Sequence, residues 1–590
     1  MTEKLFTNEL IYKSFIIGAK NVIQEKNALN AINVFPVPDG DTGSNLASMM
    51  SSIIERSKLG KTSEETIQSI VDAAIVGARG NSGIIFAQYI YGFSMGLTKE
   101  EIDEELFIEL VEKASNYAYN AIAVPVEGTM ITVMRAWANA LKKLKGAAIS
   151  FIDLMTKAYE VVLIELSKTT EMLAVLKENK VVDAGAKGFV HFIEGFTKAL
   201  KGEDIEIHEL PEHLEQLHVD HLEESQNRYC TEALIRGNDF NLDIIKRELS
   251  KLGDSLVVAG SNTTVRVHIH SNHPEDVFAY LDQMGKLVEQ KVDDMNKQFE
   301  AANHRKYPIA LVTDSIADLP LEYLDKYQIH MFPLNLLINE TYYLDKVTIK
   351  NARFYEMMDS LKVYPTSSQP NPKTLENFFS FLTTYYQEII VITVSKEMSG
   401  TYNAFVEAAS KFNQTKIHVI NSKQNSGAEG LLVLRAAELI DQKLPYEEII
   451  EKIEALTSKS KILVSVKTLK YMVRSGRVSK VTGLFGKILN LKPVISIDED
   501  GKGIIFDKGL SIKSSNKKIQ KYIEEIVAKY GIETYAIVHA NAEGRAREYA
   551  ERFEKIIGKK PAYIMDISTI IAMNAGLGTV AISYIRGDKS

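Results

Sequence analysis

The segment NVFPVPDGDTGSN, residues 33–45, sets Asp39 and Asp41 on either side of one glycine. Two carboxylates this close repel unless a cation lies between them. Hard oxygen ligands of this kind suit Mg²⁺, which keeps waters and shares phosphate oxygens. A lone Asp-Gly-Asp is more often a surface turn, so the surrounding residues decide. Pro36 and Pro38 stiffen the approach, and Gly40 and Gly43 allow turns that other residues resist. A second element, GARGNSG at 77–83, runs into the apolar IIFAQYIYG. It reads as a helix start whose N–H groups and dipole can hold phosphate, or as a plain N-cap. PVEGTMITVMR (125–135) and VVDAGAKG (181–188) are each weak alone. No GxxxxGK[ST] loop occurs in the chain.

In this order and spacing the four segments resemble the nucleotide-binding, DhaL-like domain of the dihydroxyacetone kinases, in the form found in bacterial fatty acid kinases. The resemblance covers about residues 1–200. It implies an all-α helical barrel with ATP at one end and two Mg²⁺ ions on Asp39 and Asp41. It places Thr42, Ser44 and Asn45 near the phosphates. Asn81, Ser82 and Gly83 fall in a phosphate-contacting loop, Thr129 and Met130 in the nucleotide pocket, and Asp183 and Gly185 in a late nucleotide-binding turn. The family often has a third carboxylate upstream. Asn33 stands there, which leaves the third metal ligand open. Phosphoryl transfer needs charge neutralised and groups aligned more than it needs a protein nucleophile.

TVRVHIH (264–270) puts His268 and His270 on one face of a strand, with Val265, Val267 and Ile269 on the other. Cys230 lies 38 residues before His268. Cysteine with histidine favours Zn²⁺. Surface histidines and a buried core cysteine are the simpler account from residue types alone. Fatty acid kinases have a similar middle domain with a Cys and a His-x-His pair, and that resemblance implies zinc. His273 is a further ligand candidate.

In the second half, VTDSIADLP (312–320), PTSSQPNP (365–372) and SKEMSGTYN (395–403) are rich in hydroxyls, and RSGR (474–477) adds two cations near LNLKPVISI. Such turns at strand ends can present donors to an anion, or serve as Asx turns and helix caps. TDSIADLP, TSSQP, SGTYN, SGR and LNLKPVI resemble motifs of the DegV family over about 307–590. That family binds fatty acids and serves as acyl carrier to fatty acid kinases. The resemblance implies a buried acyl tunnel with the carboxylate at its mouth, held by Ser399 and by Thr366 or Ser367, and with Asp314, Ser315, Gly400, Thr401 and Asn574 as further substrate-binding positions. Arg477 falls beside the transferred phosphate, where a guanidinium suits bidentate anion binding. The family's terminal motif reads IGxHxGPG. Here IAMNAGLG (571–578) has Asn574 for the histidine and Leu577 for the proline. Asparagine hydrogen-bonds but cannot carry a proton.

The elements that must position these residues follow from periodicity. Stretches 63–78, 100–119, 128–145 and 151–167 have helical spacing. LVVAG and TVRVHIH are strand-like and EDVFAYLDQMGKL is helical. From Tyr307 short β-rich runs (YPIALVTDS, EIIVITVS, KIHVINS, KILVSVKTL, TYAIVHA, PAYIMDIS) alternate with helices, which predicts α/β architecture with mainly parallel sheet. The apolar run 567–584, broken by Asn574, Gly576 and Gly578, reads as buried structure. The expected organisation is multidomain: an all-α DhaL-like kinase domain (1–200), an acidic linker (201–228), a small α/β middle domain (229–306) with a polar stretch toward 306, and an α/β DegV-like half (307–590). The linker holds His208, His213, His218 and His221, and reads as a solvated segment with metal buffering as the sharper alternative.

The chain has 590 residues and a net charge of -8, which argues against a nucleic-acid partner. A single cysteine fits a reducing cytoplasm. MTEKLFTNEL lacks a secretory pattern, and no apolar run reaches membrane-helix length, so membrane contact is expected to be transient at most. Taken together, the resemblances imply a self-contained fatty acid kinase that uses ATP and Mg²⁺ to convert a bound fatty acid into an acyl phosphate. Separate fatty-acid carriers, an acyl-phosphate-using acyltransferase and a second copy in a homodimer are the partners they leave open. A small-alcohol (dihydroxyacetone-type) kinase and a lipid-binding or sensing protein, the latter favoured by Asn574, remain the alternatives.

Overall fold

A computed structural model describes residues 6–35, 40–97, 102–147, 149–204, 226–476 and 492–588. Asp39, Arg477 and most of the acidic segment with its four histidines lie outside the described residues. The chain divides into two compact units, Met1–Asn296 and Lys297–Ser590.

The first unit opens with helices α1 (Asn8–Gln24), α2 (Lys26–Ala31), α3 (Thr42–Arg56), α4 (Ser63–Gly77), α5 (Gly80–Ser94), α6 (Glu104–Ala121), α7 (Met130–Leu144), α8 (Phe151–Met172), α9 (Ala174–Asn179) and α10 (Ala184–Leu200). The four helical expectations from periodicity fall on α4, α6, α7 and α8. In α7 the residues Met130, Val133, Met134, Trp137 and Leu141 are buried at helical spacing, which is the stripe a core-facing helix needs. They join Phe15, Phe86, Phe107, Phe192 and Phe196 in one core. Phe86 and Phe192 meet edge to face with centroids 5.0 Å apart.

The same unit then folds β1 (Tyr229–Arg236), α11 (Leu242–Leu249), β2 (Asp254–Gly260), β3 (Thr264–Ser271), α12 (Pro274–Met284) and β4 (Lys286–Asp294). These strands form an antiparallel sheet in the order β2-β3-β1-β4. Leu234, Val257 and Ala259 join the helical core, and Gln88 of α5 accepts from the Gly260 amide at 2.9 Å. The sheet therefore has both faces covered. His268 and His270 are buried along with the valines opposite them, which removes the reading of surface histidines. The polar stretch expected at 296–306 is helical over Met295–Asn303.

The second unit contains β5 (Ile309–Asp314), β6 (His330–Phe332), β7 (Asn335–Ile338), β8 (Thr341–Leu344), β9 (Thr366–Ser368), β10 (Glu388–Thr393), β11 (Lys416–Asn421), β12 (Ser460–Ser465), β13 (Val494–Ile497), β14 (Gly503–Asp507), β15 (Ile532–His539), β16 (Ile564–Asp566) and β17 (Val580–Arg586). One sheet, β11-β10-β5-β6, is parallel throughout. The six-stranded sheet, β14-β13-β12-β17-β15-β16, pairs in parallel only at β15–β16. The small β8-β7-β9 sheet is antiparallel. The expectation of mainly parallel sheet is thus corrected: it holds for one sheet. The apolar run 567–584 is a helix, Thr569–Ala575, followed by β17, which inserts between β12 and β15. Among the described residues no helix is long and apolar enough to cross a membrane.

Candidate functional site

In the first unit the four sequence segments become the N-termini of α3, α5, α7 and α10. Helices α1, α4, α6 and α8 each begin with a side-chain cap. The N-cap residues of α3, α5 and α7 (Asp41, Arg79 and Thr129) make no such bond. First-turn amides left uncapped by their own N-cap are the groups that attract an anion.

These helix starts converge. A methyl group on Gly185 would meet Met130 Cε at 3.1 Å, Ser82 Oγ at 3.3 Å and Asp183 Oδ1 at 3.4 Å. One on Gly80 would meet Asn45 Nδ2 at 2.3 Å. Asp183 caps α10 by accepting from the Ala186 amide at 2.7 Å, and its carboxylate also accepts from the Met130 amide. Burial pushes the Asp183 carboxyl up to about 6, against those two bonds. So Asn45, Ser82, Met130, Asp183 and Gly185 come together, with Gly83 beside the Asn45 carbonyl and Thr129 at the start of α7. Thr42 and Ser44 are partly engaged in holding the turn. Thr42 Oγ1 donates to Asn33 Oδ1. The Ser44 amide donates to Asn30 Oδ1 at 3.0 Å, and Asn30 Nδ2 donates to Ser44 Oγ at 3.0 Å. Asn33 is therefore a buried loop anchor. Asn81 keeps a buried Oδ1 with no hydrogen bond.

The middle sheet carries a second cluster. Cys230 pairs with His270 and Glu232 with His268 across β1 and β3. Among the described residues, ligand atoms of Cys230, His268 and His270 lie within 4.8 Å of one another. Cys230 Sγ is 3.8 Å from His268 Nδ1, and His268 Nε2 is buried without a hydrogen bond. Burial, with the His268 ring beside it, lowers His270 to about 3, so it is the neutral imidazole that a metal binds. Burial, then the Asp293, Glu232 and Asp41 charges, pushes the Cys230 thiol well up. A divalent cation would reverse that push. A tetrahedral Zn²⁺ needs four donors roughly 3.3–3.8 Å apart, and this cluster supplies three of them. His273 stands apart, pairing with Glu275 at 3.4 Å.

In the second unit a cavity of about 750 Å³ is lined from several elements. That size suits a small-molecule or lipid ligand. Loops after the parallel strands β5, β10 and β11 supply Ile316, Ser399, Gly400, Asn425 and Ser426, and the six-stranded sheet supplies Ile462, Val464, Ile495 and Val538. Ser367, Ser368 and Asn574 also line it. Asn574 Nδ2 donates to the Ile570 carbonyl at 2.7 Å, and its Oδ1 is buried without a hydrogen bond. Thr366 is exposed and outside the lining. Thr401 is buried behind it, with Oγ1 2.8 Å from Ser399 Oγ.

Asp314 and Ser315 are not brought to the cavity; they brace its loops. Asp314 accepts from the Ile316 amide at 2.8 Å and the Val394 amide at 2.9 Å, and Ser315 Oγ donates to Asp345 at 2.7 Å. Burial pushes the Asp314 carboxyl up to about 6. Sequence reasoning missed His539, which lines the cavity with Nδ1 3.2 Å from Asp566 Oδ1. The signal for it was a histidine ending one strand and an aspartate ending the next.

Three segments of the chain match known protein families. The DAK2 domain matches residues 36–198, the FakA-like middle domain of fatty acid kinase matches 226–302, and the "uncharacterised protein, DegV family" matches 308–587. An uncharacterized protein of Staphylococcus epidermidis is 35% identical over 344 residues, 53% of this chain and 61% of its own length. Protein YloV of Bacillus subtilis is 35% identical over 300 residues, 48% of this chain and 54% of its own length. The chain thus spans about six-tenths of such relatives or less. The Bacillus subtilis DegV fatty acid binding protein is 27% identical, covering 48% of this chain and 100% of its own, with a TM-score of 0.44. The Streptococcus pneumoniae Fatty Acid Kinase B3 protein, loaded with linoleic acid, is 24% identical, covering 47% and 99%, with a TM-score of 0.42. This chain therefore carries, in order, a DAK2 domain, a FakA-like fatty acid kinase middle domain and a DegV-family domain.

Proposed function

We propose that the protein is an ATP-dependent fatty acid kinase whose acyl carrier is part of the same chain. The observation that carries this reading is the convergence of the α3, α5, α7 and α10 starts, joined in one chain to a unit with a largely apolar cavity. First-turn amides of α3, α5 and α7 other than those of Ser44, Gly80 and Met130, which side chains already hold, bind the ATP phosphates, and Met130 and Gly185 shape the nucleotide pocket. Asp41, with Asp39, is the ligand set for Mg²⁺, which supplies charge neutralisation when bound. The fatty acid lies in the second unit with its carboxylate near Ser399 and Ser367. A carboxylate oxygen attacks the γ-phosphorus, the bond to the β,γ-bridging oxygen breaks, and ADP leaves with that electron pair. Arg477 is the cation for the transferred phosphate. Cys230, His268 and His270 are the residues that would hold Zn²⁺, whose role there is structural.

Asn574 favours a second reading, a lipid carrier or sensor without turnover, because an amide cannot carry a proton. One experiment separates the two. The purified protein is extracted for co-purified lipid, then given Mg-ATP and hydroxylamine. Bound fatty acid with hydroxamate is the kinase, and bound fatty acid without hydroxamate is the carrier. No lipid at all refutes both and points to a small-alcohol substrate. Asp41→Ala is expected to abolish turnover and leave lipid bound.

A further inference from the structure

Gly80 opens α5 with φ +56, and what holds it there comes from 152 residues away. The Gly80 amide donates to Glu232 Oε1 of β1 at 2.7 Å. The preceding residue is tied to the same sheet, with Arg79 Nη2 3.0 Å from Glu289 Oε2. Arg266, 2% exposed, bonds that same Glu289 oxygen through Nη1 at 2.7 Å and lies 3.7 Å from Glu232 Oε2 through Nη2. Glu232 itself is 3% exposed. Its Oε1 is also 3.6 Å from His268 Nδ1, so it touches both the Cys/His cluster and the α5 turn. A buried charge is retained at such a position only where its partners compensate for lost water, and here one of those partners is the Gly80 amide of the turn.

We propose that Glu232 is a positioning residue for nucleotide: with Glu289 as a second latch, it clamps the Arg79–Gly80 turn so that the amides following Gly80 in the first turn of α5 face the phosphates. The inference rests on the reading that α5 binds ATP phosphates. It makes nucleotide affinity in the helical part of the unit depend on the middle sheet. The clamp acts before any phosphate arrives, by fixing a backbone turn that would otherwise sample other conformations.

The test compares Glu232→Ala with Glu232→Gln in the full-length protein. Glutamine keeps an acceptor for the Gly80 amide and alanine does not. Mg-ATP affinity by calorimetry is expected to weaken at least ten-fold in E232A and less than three-fold in E232Q. Deuterium uptake at the Gly80 amide is expected to speed up in E232A alone. A merely structural carboxylate would lower the melting temperature without this split. Should E232A not fold, Glu289→Ala carries the test, because that side chain is 38% exposed; it is expected to weaken Mg-ATP binding about three-fold. Unchanged affinity in the folded variants overturns the clamp while leaving the kinase reading intact. Failure of the wild-type protein to bind Mg-ATP overturns the kinase reading, and the clamp with it.

Discussion

Gly43→Ala tests how tightly the α3 turn is built. An ideal Cβ there would lie 2.0 Å from the Lys26 carbonyl oxygen, 2.9 Å from its carbon and 2.8 Å from Asn30 Oδ1. A relaxed carbon–oxygen contact is roughly 3.3 Å or more, so main chain must move by about 1 Å. Overpacking costs about 1–3 kcal/mol. The same movement strains the two 3.0 Å bonds between Asn30 and Ser44, worth about 1 kcal/mol more. A loss of about 3 kcal/mol lowers the melting temperature of the Met1–Asn296 unit by about 5 °C. Gly83→Ala is the control: its nearest neighbours would be 3.4 Å and 3.6 Å away, ordinary contacts, and it should melt within about 2 °C of the parent. Calorimetric scans with and without Mg-ATP read both quantities, and G43A should also lose the nucleotide-dependent upshift. A G43A protein that melts like the parent, or a G83A protein that falls as far, refutes the packing argument.

Glu194 accepts from Asn21 at 3.2 Å and pairs with His191 and Lys198. The His191 bond, with Lys198 and Asn21 and against burial, holds its carboxyl at about 2. Its stabilising contribution is therefore full above the ordinary pH 4.5 and fades as pH falls toward 2. Discounted for partial exposure, Glu194→Gln should cost on the order of 2 kcal/mol at pH 7 and less than half that at pH 3; equal loss in denaturant melts at both would refute the coupling. Val464→Trp projects an indole into the 750 Å³ cavity and should cut co-purified fatty acid at least ten-fold, measured by mass spectrometry with melting as the fold control. Asn574→His should raise hydroxamate yield if this position faces the transferred group, and an unchanged yield counts against that placement. Elemental analysis should find about one zinc per chain, lost in a Cys230→Ser, His270→Ala double variant; zinc retained there would dismiss the cluster as its site.

The helical part was legible because α4, α6, α7 and α8 each bury one stripe at helical spacing. Strand β3 was legible from its alternation. Its neighbour β1 was not, because covered sheet faces erase the alternation that betrays a strand: Thr231 and Glu232 are buried with Ala233, Leu234 and Ile235. The mainly parallel expectation failed for a different reason. Alternating strands and helices imply parallel pairing only if each strand lies beside the last. Here β17, late in the chain, enters between β12 and β15 and pairs antiparallel with both. No local residue pattern encodes such an insertion.

The site divides along the same line. Asn45, Ser82, Met130, Asp183 and Gly185, which the family resemblance named together, lie near one another at helix starts. Asp314 and Ser315 sit in an equally suggestive string, yet their side chains turn inward to loop amides and to Asp345. A hydroxyl or carboxylate at a strand end has the same signature whether it meets a ligand or its own chain, and only the direction of the loop decides. Glu232 is the extreme case. Nothing beside it in RYCTEALIRG marks it, since its meaning lies in Gly80 and His268, residues far off in sequence that reach it only once the middle sheet has closed over the helices.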